Sequence, residues 1–585
     1  MTRNPATTLA PSAISSDVNS RRSDRSNWTS HVGVGVELDQ ANVLLSAGRI
    51  PEAVSLLSRV VAKRPREARA LHMLGVAQAQ SGNLAEALKQ LQGAKALAPK
   101  SATVLADLAT VMLMSGQAAA AVPLLEKARQ LDPRLLAAQF YLGNAFTALN
   151  RHADALDIFE DLSKREPNNT TYLQNRAALL LELGRLEEAV AAADKILQRQ
   201  PSFVPALVLK SRSLIERERF GEAIEACDRV IAIDRNAHSA HNNRGVALMA
   251  LDRFDEALAS FDRAIALQPD YSDAIYNRGH LHLLLGRFEQ GWKDHESRWN
   301  RKHFAGRRPA IEARHWRGED LKGRSLAVYS EQGLGDTLQF CRYIPLLIER
   351  GARICFIAPQ RLHRLLATLS PAVQLAAAPP AGQHFDFQIA LLSIPQQMAT
   401  NLSNIPAAIP YLSAEPDRVA RWKNRIGTDG YKVGIAWQGN RGVQFDRERS
   451  FALSEFYALA RIAGVRLLSL QKGDGQEQLA ELPADIRIET LGEDFDSGDY
   501  AFLDSAAVMQ SLDLVISPNT AITHLAGALG RPLWVALNKN AEWRWLRERR
   551  DSPWYPTATL FRQTAAGDWS SVFVAIAEKL RSLAS

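Results

Sequence analysis

The sequence predicts an all-α solenoid followed by a pair of doubly wound α/β halves. In the first half of the chain, prolines and small residues recur every 34 residues, which no single globular domain explains. After Trp299 this period ends, and short β-rich runs alternate with helical stretches. Alternation of this kind is typical of parallel sheets with crossover helices, so the predicted fold class is α followed by α/β.

The repeat is visible in three sets of residues. The prolines lie 34 residues apart, or 68 in one case: Pro65, Pro99, Pro133, Pro167, Pro201 and Pro269. Alanines share a second phase: Ala53, Ala87, Ala121, Ala155, Ala189, Ala223 and Ala257. Glycine or alanine occupies a third phase of the repeat: Gly75, Ala109, Gly143, Ala177, Gly245 and Gly279. Two small positions in each period predict two closely packed helices, and the proline ends the second one.

This pattern resembles the tetratricopeptide repeat, for example in "LHMLGVAQAQSGNLAEALKQLQGAKALAPK". Between roughly Val34 and Trp299 the sequence holds about eight units. Unit six departs from the pattern with Ser211 and Arg235, and unit eight has Gly291 in place of alanine. The other units follow the pattern closely enough to predict helix pairs.

Stacked repeats form a concave groove, so we expect this half to bind a protein or peptide partner. Asparagines near the small positions of the first helices are candidate groove residues: Asn144, Asn175, Asn242, Asn243 and Asn277. The alternative is that they are ordinary solvated helix residues.

Composition excludes several classes of protein. The 585 residues suggest two or three domains, and 46% hydrophobic residues suffice for packed cores. The net charge of +7 comes from 70 basic and 63 acidic residues that are interspersed, which does not indicate a nucleic-acid partner. Three scattered cysteines suggest neither a disulfide framework nor a zinc site, so we expect a protein of the reducing cytoplasm.

The predicted domain boundaries follow from these changes in pattern. Residues 1–33 lack the apolar core of a signal peptide and are expected to form a disordered leader. No stretch reaches the roughly 18 apolar residues of a spanning helix, so no transmembrane segment is expected. The remaining ranges are a solenoid over 34–300, a junction over 301–323, a first α/β half over 324–425 and a second over 426–585.

The first motif at a predicted strand end is "YSEQGLGDTLQFCRYIPLL". Gly333 and Gly335 allow a ligand to approach the backbone closely, so this loop is a candidate ligand-binding loop. Asp336 stands at the start of the following helix. It can either cap that helix or face a cleft.

The second motif is "VGIAWQGNRGVQFDRERSF". Here Gln438 and Asn440 end a strand, and Arg447 lies in the polar loop that follows. Arginines in such a loop can bind phosphates, although the loop can equally be a surface connector.

The third motif is "LDLVISPNTAITHLAGALGRPLWVAL". Asn519, Thr520 and Ala521 connect a strand to a helix that carries Thr523 and His524. Exposed amides at such a helix start form a site for pyrophosphate. His524 is either part of that site or a packed histidine.

Together with two further blocks, "SLQKGDGQEQL" and "WRWLRERRDSPWYPTATLFRQ", these motifs resemble the heptosyltransferase-like branch of the GT-B glycosyltransferases. That branch is itself distantly similar to the catalytic part of O-linked N-acetylglucosamine transferases. The resemblance implies two Rossmann-like halves and a nucleotide-sugar donor held mainly by the second half. It also implies inverting transfer without a metal or other cofactor.

The same resemblance implies residue roles. Asp336 matches the general base that acts on the acceptor hydroxyl, and Lys472 matches a residue that contacts the donor phosphates. Thr520 and Ala521 match the amides that hold the pyrophosphate. The other candidate donor-binding residues are Gln438, Asn440, Arg447, Asn519, Thr523 and His524.

One departure concerns the third motif. Most relatives have "VDTA" where this chain has "PNTA", so Asn519 replaces an acidic residue. An amide can bind a hydroxyl group but cannot carry negative charge. Two functions therefore remain. One is a glycosyltransferase acting on a protein or glycan acceptor recruited by the repeats. The other is a scaffold whose transferase fold has lost turnover and whose repeats mediate protein interactions in a surface-glycan or related assembly.

Two aromatic groups and the last helix complete the predictions. Trp543, Trp545, Trp554 and Tyr555 either stack on a base or pack against the sheet, and the interleaved arginines argue against full burial. Trp292, Trp299 and Trp316 are expected to join the last repeat to the first α/β half. The final helix, over about 570–583, is expected to cross back to that half.

Overall fold

The computed structural model describes residues 32–301, 304, 306–442 and 446–584. Most of the predicted leader, residues 1–31, lies outside them. The chain divides into two compact units, one ending at Leu251 and the other beginning at Asp252. The last repeat helices therefore belong to the same unit as the sheets.

The first unit consists of paired antiparallel helices. Their bounds are α1 (Val32–Ser46), α2 (Ile50–Lys63), α3 (Ala68–Gln80), α4 (Leu84–Leu97), α5 (Ala102–Met114), α6 (Ala118–Leu131), α7 (Leu136–Ala148), α8 (His152–Arg165), α9 (Thr170–Glu182), α10 (Leu186–Arg199), α11 (Val204–Glu216), α12 (Phe220–Ile233) and α13 (His238–Ala250). In the second unit the pattern continues with α14 (Phe254–Leu267), α15 (Ser272–Leu284), α16 (Phe288–His295) and a 3₁₀ helix over Glu296–Asn300. The predicted helical repeats are thus confirmed.

The turn inside each repeat has a fixed backbone conformation. Gly48, Gly82, Gly116, Gly184 and Gly286 all have positive φ. The same phase is continued by Asn150, Glu218 and Asp252, with φ of 58°, 57° and 62°. Asn and Asp tolerate this left-handed conformation better than most residues, which explains two of the three replacements.

Small residues let the two helices of a repeat approach. A Cβ on Gly75 would lie 2.6 Å from Leu91 Cγ, and one on Gly143 would lie 2.6 Å from Phe159 Cε2. Unit six departs in sequence but not in fold. Its Ser211 is fully buried, donates to Val208 O and accepts a hydrogen bond from Asn243 Nδ2 at 3.1 Å.

Charged pairs repeat with the helices of the first unit. Each joins a first helix to the second helix of the preceding repeat, 16 residues earlier in the chain: Arg176 with Glu160, Lys210 with Asp194, and Arg244 with Asp228. Two of the candidate groove asparagines are not solvated, because Asn242 and Asn243 are buried. Asn243 is held within the helix stack.

The first sheet is parallel, in the order β1-β5-β2-β3-β4. Its strands are β1 (Arg314–His315), β2 (Ser325–Tyr329), β3 (Arg353–Ile357), β4 (Gln374–Ala376) and β5 (Phe387–Ala390). Its helices are α17 (Leu334–Phe340), α18 (Tyr343–Glu349), α19 (His363–Leu366) and α20 (Ile394–Gln397). Strand order reverses between β2 and β5, which is where doubly wound sheets leave a crevice.

The second sheet is also parallel, in the order β11-β10-β9-β6-β7-β8. Its strands are β6 (Tyr431–Ile435), β7 (Val465–Ser469), β8 (Ile488–Glu489), β9 (Leu514–Pro518), β10 (Leu533–Leu537) and β11 (Ala558–Arg562). The accompanying helices are α21 (Pro416–Ile426), α22 (Asp446–Arg449), α23 (Tyr457–Ala460), α24 (Leu503–Met509), α25 (Ala521–Ala528) and α26 (Trp569–Ala584). Strand order reverses here between β6 and β9.

Two expectations about the C-terminal region are wrong. Helix α26 does not cross back to the first sheet: Phe573 and Ile576 pack in the core of the second sheet, beside Val433 and Ile516. The arginines do not keep the aromatic cluster exposed either, because Trp545 and its aromatic neighbours are buried. Packing, rather than an open stacking surface, describes that cluster.

Candidate functional site

Asp336 lies at the carboxyl end of β2, in the first turn of α17. Its Oδ2 accepts a hydrogen bond from the Gly333 N–H at 2.9 Å, so the carboxylate does cap the helix. Its Oδ1 forms an ion pair with Arg544. The side chain is 20% exposed, so it is reached from solvent while holding both contacts.

Arg544 is the cation of this site, and it comes from the 3₁₀ helix over Trp543–Trp545 that follows β10. Besides Asp336, its guanidinium contacts Glu542 and donates from Nε to Gln339 Oε1 at 2.5 Å. The group lies over the ring of Trp543, with Cζ 4.5 Å from the ring centroid. Burial lowers the pKa of Arg544, and the negative charge of Asp336 opposes that effect.

Glu542 links this cation to the third motif. Its Oε1 contacts Arg544, and its Oε2 accepts a hydrogen bond from Asn519 Nδ2 at 2.9 Å. Asn519, which follows β9, is 8% exposed. A chain of polar contacts therefore connects Asn519 to Asp336 through Glu542 and Arg544.

Thr520 is the N-cap of α25, and Ala521 is its first residue. The Thr520 and Ser517 hydroxyls are 3.1 Å apart, and the buried Thr523 hydroxyl donates to Pro518 O at 2.6 Å. The N-terminal amides of this helix lie beside the glycine loop: a Cβ on Gly335 would be 3.5 Å from Ala521 Cα. The first turns of α17 and α25 are thus in contact.

His524 is packed rather than exposed. Its Nδ1 is 2.9 Å from the Tyr555 hydroxyl, and its ring stacks on Trp545 with centroids 5.9 Å apart. Burial, reinforced by nearby arginine charges, holds the pKa of His524 well below 6.5. The imidazole is therefore neutral near pH 7, and its hydrogen bond with Tyr555 does not need a charge.

The second motif forms a separate polar cluster at the end of β6. The backbone N–H of Gln438 donates to Gln471 Oε1 at 3.1 Å, and Gln471 Nε2 donates back to Gln438 O at 3.0 Å. Asn440 Oδ1 accepts from the Gly442 N–H at 2.8 Å. The backbone of Gln438 is thereby held at the same sheet edge as Asn519, and Asn440 follows in the adjoining loop.

Lys472 follows β7 and borders a cavity of about 430 Å³. Its ammonium donates to Phe495 O at 2.7 Å. The buried Ser469 hydroxyl on the cavity wall has no hydrogen-bond partner among the described residues. Thr490 and Phe495 contribute to the same wall, so the cavity combines polar groups with an aromatic surface.

The structure therefore arranges the predicted residues in two groups. The first joins the glycine loop to the third motif and comprises Gly333, Gly335, Asp336, Asn519, Thr520, Ala521, Thr523 and His524. The second, made of Gln438, Asn440 and Lys472, lies along the carboxyl edge of β6 and β7. The side chain of Arg447 lies outside the described residues. The binding roles of all these residues stay predictions.

Sequence reasoning missed the residues that connect Asp336 to Asn519 within the first group. Arg544 and Glu542 lie more than 200 positions from Asp336, so no local pattern pairs them. Arg342 is also buried, and it donates to Trp554 O at 2.7 Å and to the Tyr411 hydroxyl at 2.9 Å. For Arg544, the arginine-rich aromatic block that contains it was the signal that could have pointed to this residue.

The last repeat contacts the first sheet, as the tryptophans predict. Trp292 donates from Nε1 to Thr400 O at 2.9 Å. At the crevice between β2 and β5, the buried Arg298 donates to both carboxylate oxygens of Glu331, at 3.1 and 3.2 Å. Burial raises the pKa of Glu331 to about 7, although Arg298 acts in the opposite direction.

Two further observations concern the described residues as a whole. They contain no group of three or more His, Cys, Asp or Glu side chains placed to hold a metal ion. Within the same residues, none of the helices has the length and apolar character needed to cross a membrane.

Comparison with known proteins identifies a curated relative that matches about half of this chain. Protein FlbA of Caulobacter vibrioides is 27% identical over 320 residues, which is 51% of this chain and 53% of FlbA. The chain thus spans about half the length of the curated relative that it matches.

Similar solved structures include YrrB, described as a tetratricopeptide protein with an unusual peptide-binding site. It is 20% identical with a TM-score of 0.28, covering 32% of this chain and 95% of YrrB. A tetratricopeptide repeat protein of Parabacteroides merdae is 16% identical with a TM-score of 0.35, covering 42% of this chain and 96% of its own.

Family models of the tetratricopeptide repeat match four stretches of the chain. These are residues 38–102, 112–179, 180–243 and 238–271. The stretches coincide with the paired helices described above. The N-terminal part of this chain is therefore built of tetratricopeptide repeats.

Proposed function

We propose that this protein is a glycosyltransferase of the GT-B type whose repeats recruit a protein or glycan acceptor. The donor is a nucleotide-sugar, transferred with inversion and without a metal. The observation that carries the proposal is the contact between the first turns of α17 and α25. It brings the residue expected to act as base, Asp336, beside the amides expected to hold the donor pyrophosphate.

The donor site proposed here is the carboxyl edge of the second sheet. Thr520 and the N-terminal amides of α25 attract the anionic oxygens of the donor pyrophosphate in this proposal, because helix N-termini carry partial positive charge. Lys472 provides a second positive group once its ammonium releases the hydrogen bond to Phe495 O and binds a donor phosphate instead. The cavity of about 430 Å³ beside Lys472 offers space for the nucleoside.

These positions support the following proposed reaction. The acceptor hydroxyl attacks the anomeric carbon, its proton passes to Asp336, and the bond from that carbon to the diphosphate oxygen breaks. Fixed amides stabilise the charge that develops on the departing diphosphate. Each Asp336 oxygen has two lone pairs, so the contacts with Gly333 and Arg544 leave capacity to accept this proton. A well-placed base contributes roughly 10²- to 10⁴-fold to the rate.

A scaffold without turnover is the second candidate. It is favoured by the neutral Asn519 and by the structural contacts that already engage both oxygens of Asp336. In that case the repeats bind partners while the sheets serve as a packed platform. The repeats recruit a partner in either candidate, and the two candidates differ in whether the α/β halves bind and turn over a nucleotide-sugar.

Calorimetry against a panel of nucleoside diphosphates and their sugars tests the proposal. The wild type should bind one nucleotide saturably, and Thr520→Val and Lys472→Ala should weaken that binding at least tenfold, because each removes a phosphate contact. Lys423→Ala, an exposed lysine of α21, is the matched control and should bind like the wild type. A folded wild-type protein that binds no member of the panel would leave the scaffold as the better description.

A further inference from the structure

The polar chain from Asn519 to Asp336 has a defined direction at each contact. Asn519 donates an amide hydrogen to Glu542 at 2.9 Å, Glu542 contacts Arg544, and Arg544 contacts Asp336. The third donor of Arg544 is also engaged, since Nε donates to Gln339 Oε1. A guanidinium held on three sides cannot rotate freely, so its orientation fixes that of Asp336.

Charge explains why residue 519 is an amide. Asp336 and Glu542 carry one negative charge each and Arg544 carries one positive charge, which leaves the cluster with a net charge of −1. An aspartate at 519 would face the partly exposed Glu542 carboxylate with no hydrogen between them, and two like charges in contact are unfavourable. It would also place a second negative charge next to Thr520, where the pyrophosphate is proposed to bind.

We infer that Glu542 and Arg544 are positioning residues for Asp336 and that Asn519 holds them in place from the donor side. The acidic group of this part of the cleft thus lies on Glu542, in the loop after β10, rather than on residue 519. A substitution at Asn519 therefore alters the position of Asp336 through the side chains of Glu542 and Arg544. This inference rests on the proposed function for its catalytic meaning, whereas the contacts themselves do not depend on that function.

An exchange of the two groups tests the contact without any assay of activity. Asn519→Asp should lower the midpoint of thermal unfolding by roughly 2 °C or more, because two carboxylates then face each other. Adding Glu542→Gln should restore at least half of that loss, since the amide introduced at position 542 then donates to the carboxylate at position 519. Asn540→Asp, which adds the same charge in the same loop but outside the chain of contacts, controls for net charge.

Kinetics test the positioning role. With the nucleotide-sugar that the wild type binds, Glu542→Gln and Arg544→Lys should lower kcat about tenfold or more, because each removes a charge-assisted hydrogen bond. The donor dissociation constant measured by calorimetry should stay within about threefold of the wild-type value. A role in packing alone would instead change both quantities together or neither.

The outcomes separate the two proposals. Recovery in the Asn519→Asp, Glu542→Gln double variant, together with a selective fall in kcat, supports the positioning role. Equal effects of Asn519→Asp and Asn540→Asp, with no recovery in the double variant, would overturn it. If recovery occurs but no nucleotide binds, the contacts are as described and it is the transferase function that fails.

Discussion

Gly143→Ala tests the close approach of the paired helices within a repeat. The new Cβ would lie 2.6 Å from Phe159 Cε2 and 2.9 Å from Cζ, closer than real side chains approach. The Phe159 ring is fully buried and packs edge-to-face on Phe140, with centroids 5.9 Å apart, so it cannot simply turn away.

Two opposing terms give the magnitude. Overpacking of a tight core costs about 1–3 kcal/mol. Replacing glycine inside a helix contributes up to about 1 kcal/mol in the other direction. We therefore expect Gly143→Ala to destabilise α7 and α8 by about 1 kcal/mol net. Gly93→Ala in α4 is the control, because its Cβ would meet Leu71 at 3.5 Å, an ordinary contact.

Hydrogen exchange of the full-length protein measures the effect locally, as the free energy of opening of α7 and α8. Gly143→Ala should speed exchange in these helices, whereas Gly93→Ala should leave exchange in α4 unchanged or slower. Phe159→Leu combined with Gly143→Ala should show a favourable coupling, since the smaller side chain removes the clash. If Gly143→Ala protects its helices as well as Gly93→Ala does, the packing argument is wrong.

Two further predictions concern the junction of the last repeat with the first sheet. Burial raises the pKa of Glu331 from 4.5 to about 7. The protonation of Glu331 therefore contributes fully to the free energy of unfolding below about pH 4.5, and this contribution is lost as the pH rises through 7. The loss amounts to ~3 kcal/mol. Thermal unfolding of the wild type should therefore depend on pH in this window more steeply than that of Glu331→Gln, and identical slopes would contradict the assignment. Trp292→Phe removes the donor to Thr400 O and should cost about 1–3 kcal/mol because a buried carbonyl loses its partner. Exchange in α16 reports that loss, and unchanged protection there would refute it.

The repeats were predictable because their signal is local and periodic. The sequence pattern of the same helix pair recurs every 34 residues, so one departure such as Ser211 does not change the fold. The left-handed turn inside a repeat could be predicted from the sequence only where glycine occupies the turn position. Glu218 adopts the same conformation because the flanking helices impose it, which the residue type alone does not reveal.

The sheets were predictable from alternating strands and helices, but their contacts were not. Arg544 illustrates the reason: arginines are usually exposed, and this one is buried because Asp336 and Glu542 compensate its charge. Such compensation depends on chain segments far apart in sequence. The final helix was assigned to the wrong sheet for the same reason, since its apolar face fits either sheet until the packing is known.

Release of nucleoside diphosphate from the nucleotide-sugar that the protein binds, measured with an extract containing candidate protein and glycan acceptors, tests the proposed reaction itself. We expect steady release by the wild type, with a sugar-sized mass increase on an acceptor. Release by Asp336→Asn should be slower by about a hundredfold or more, with donor binding unchanged. Tight nucleotide binding with no release, or equal release by the wild type and Asp336→Asn, would contradict the assignment of a glycosyltransferase with Asp336 as its base.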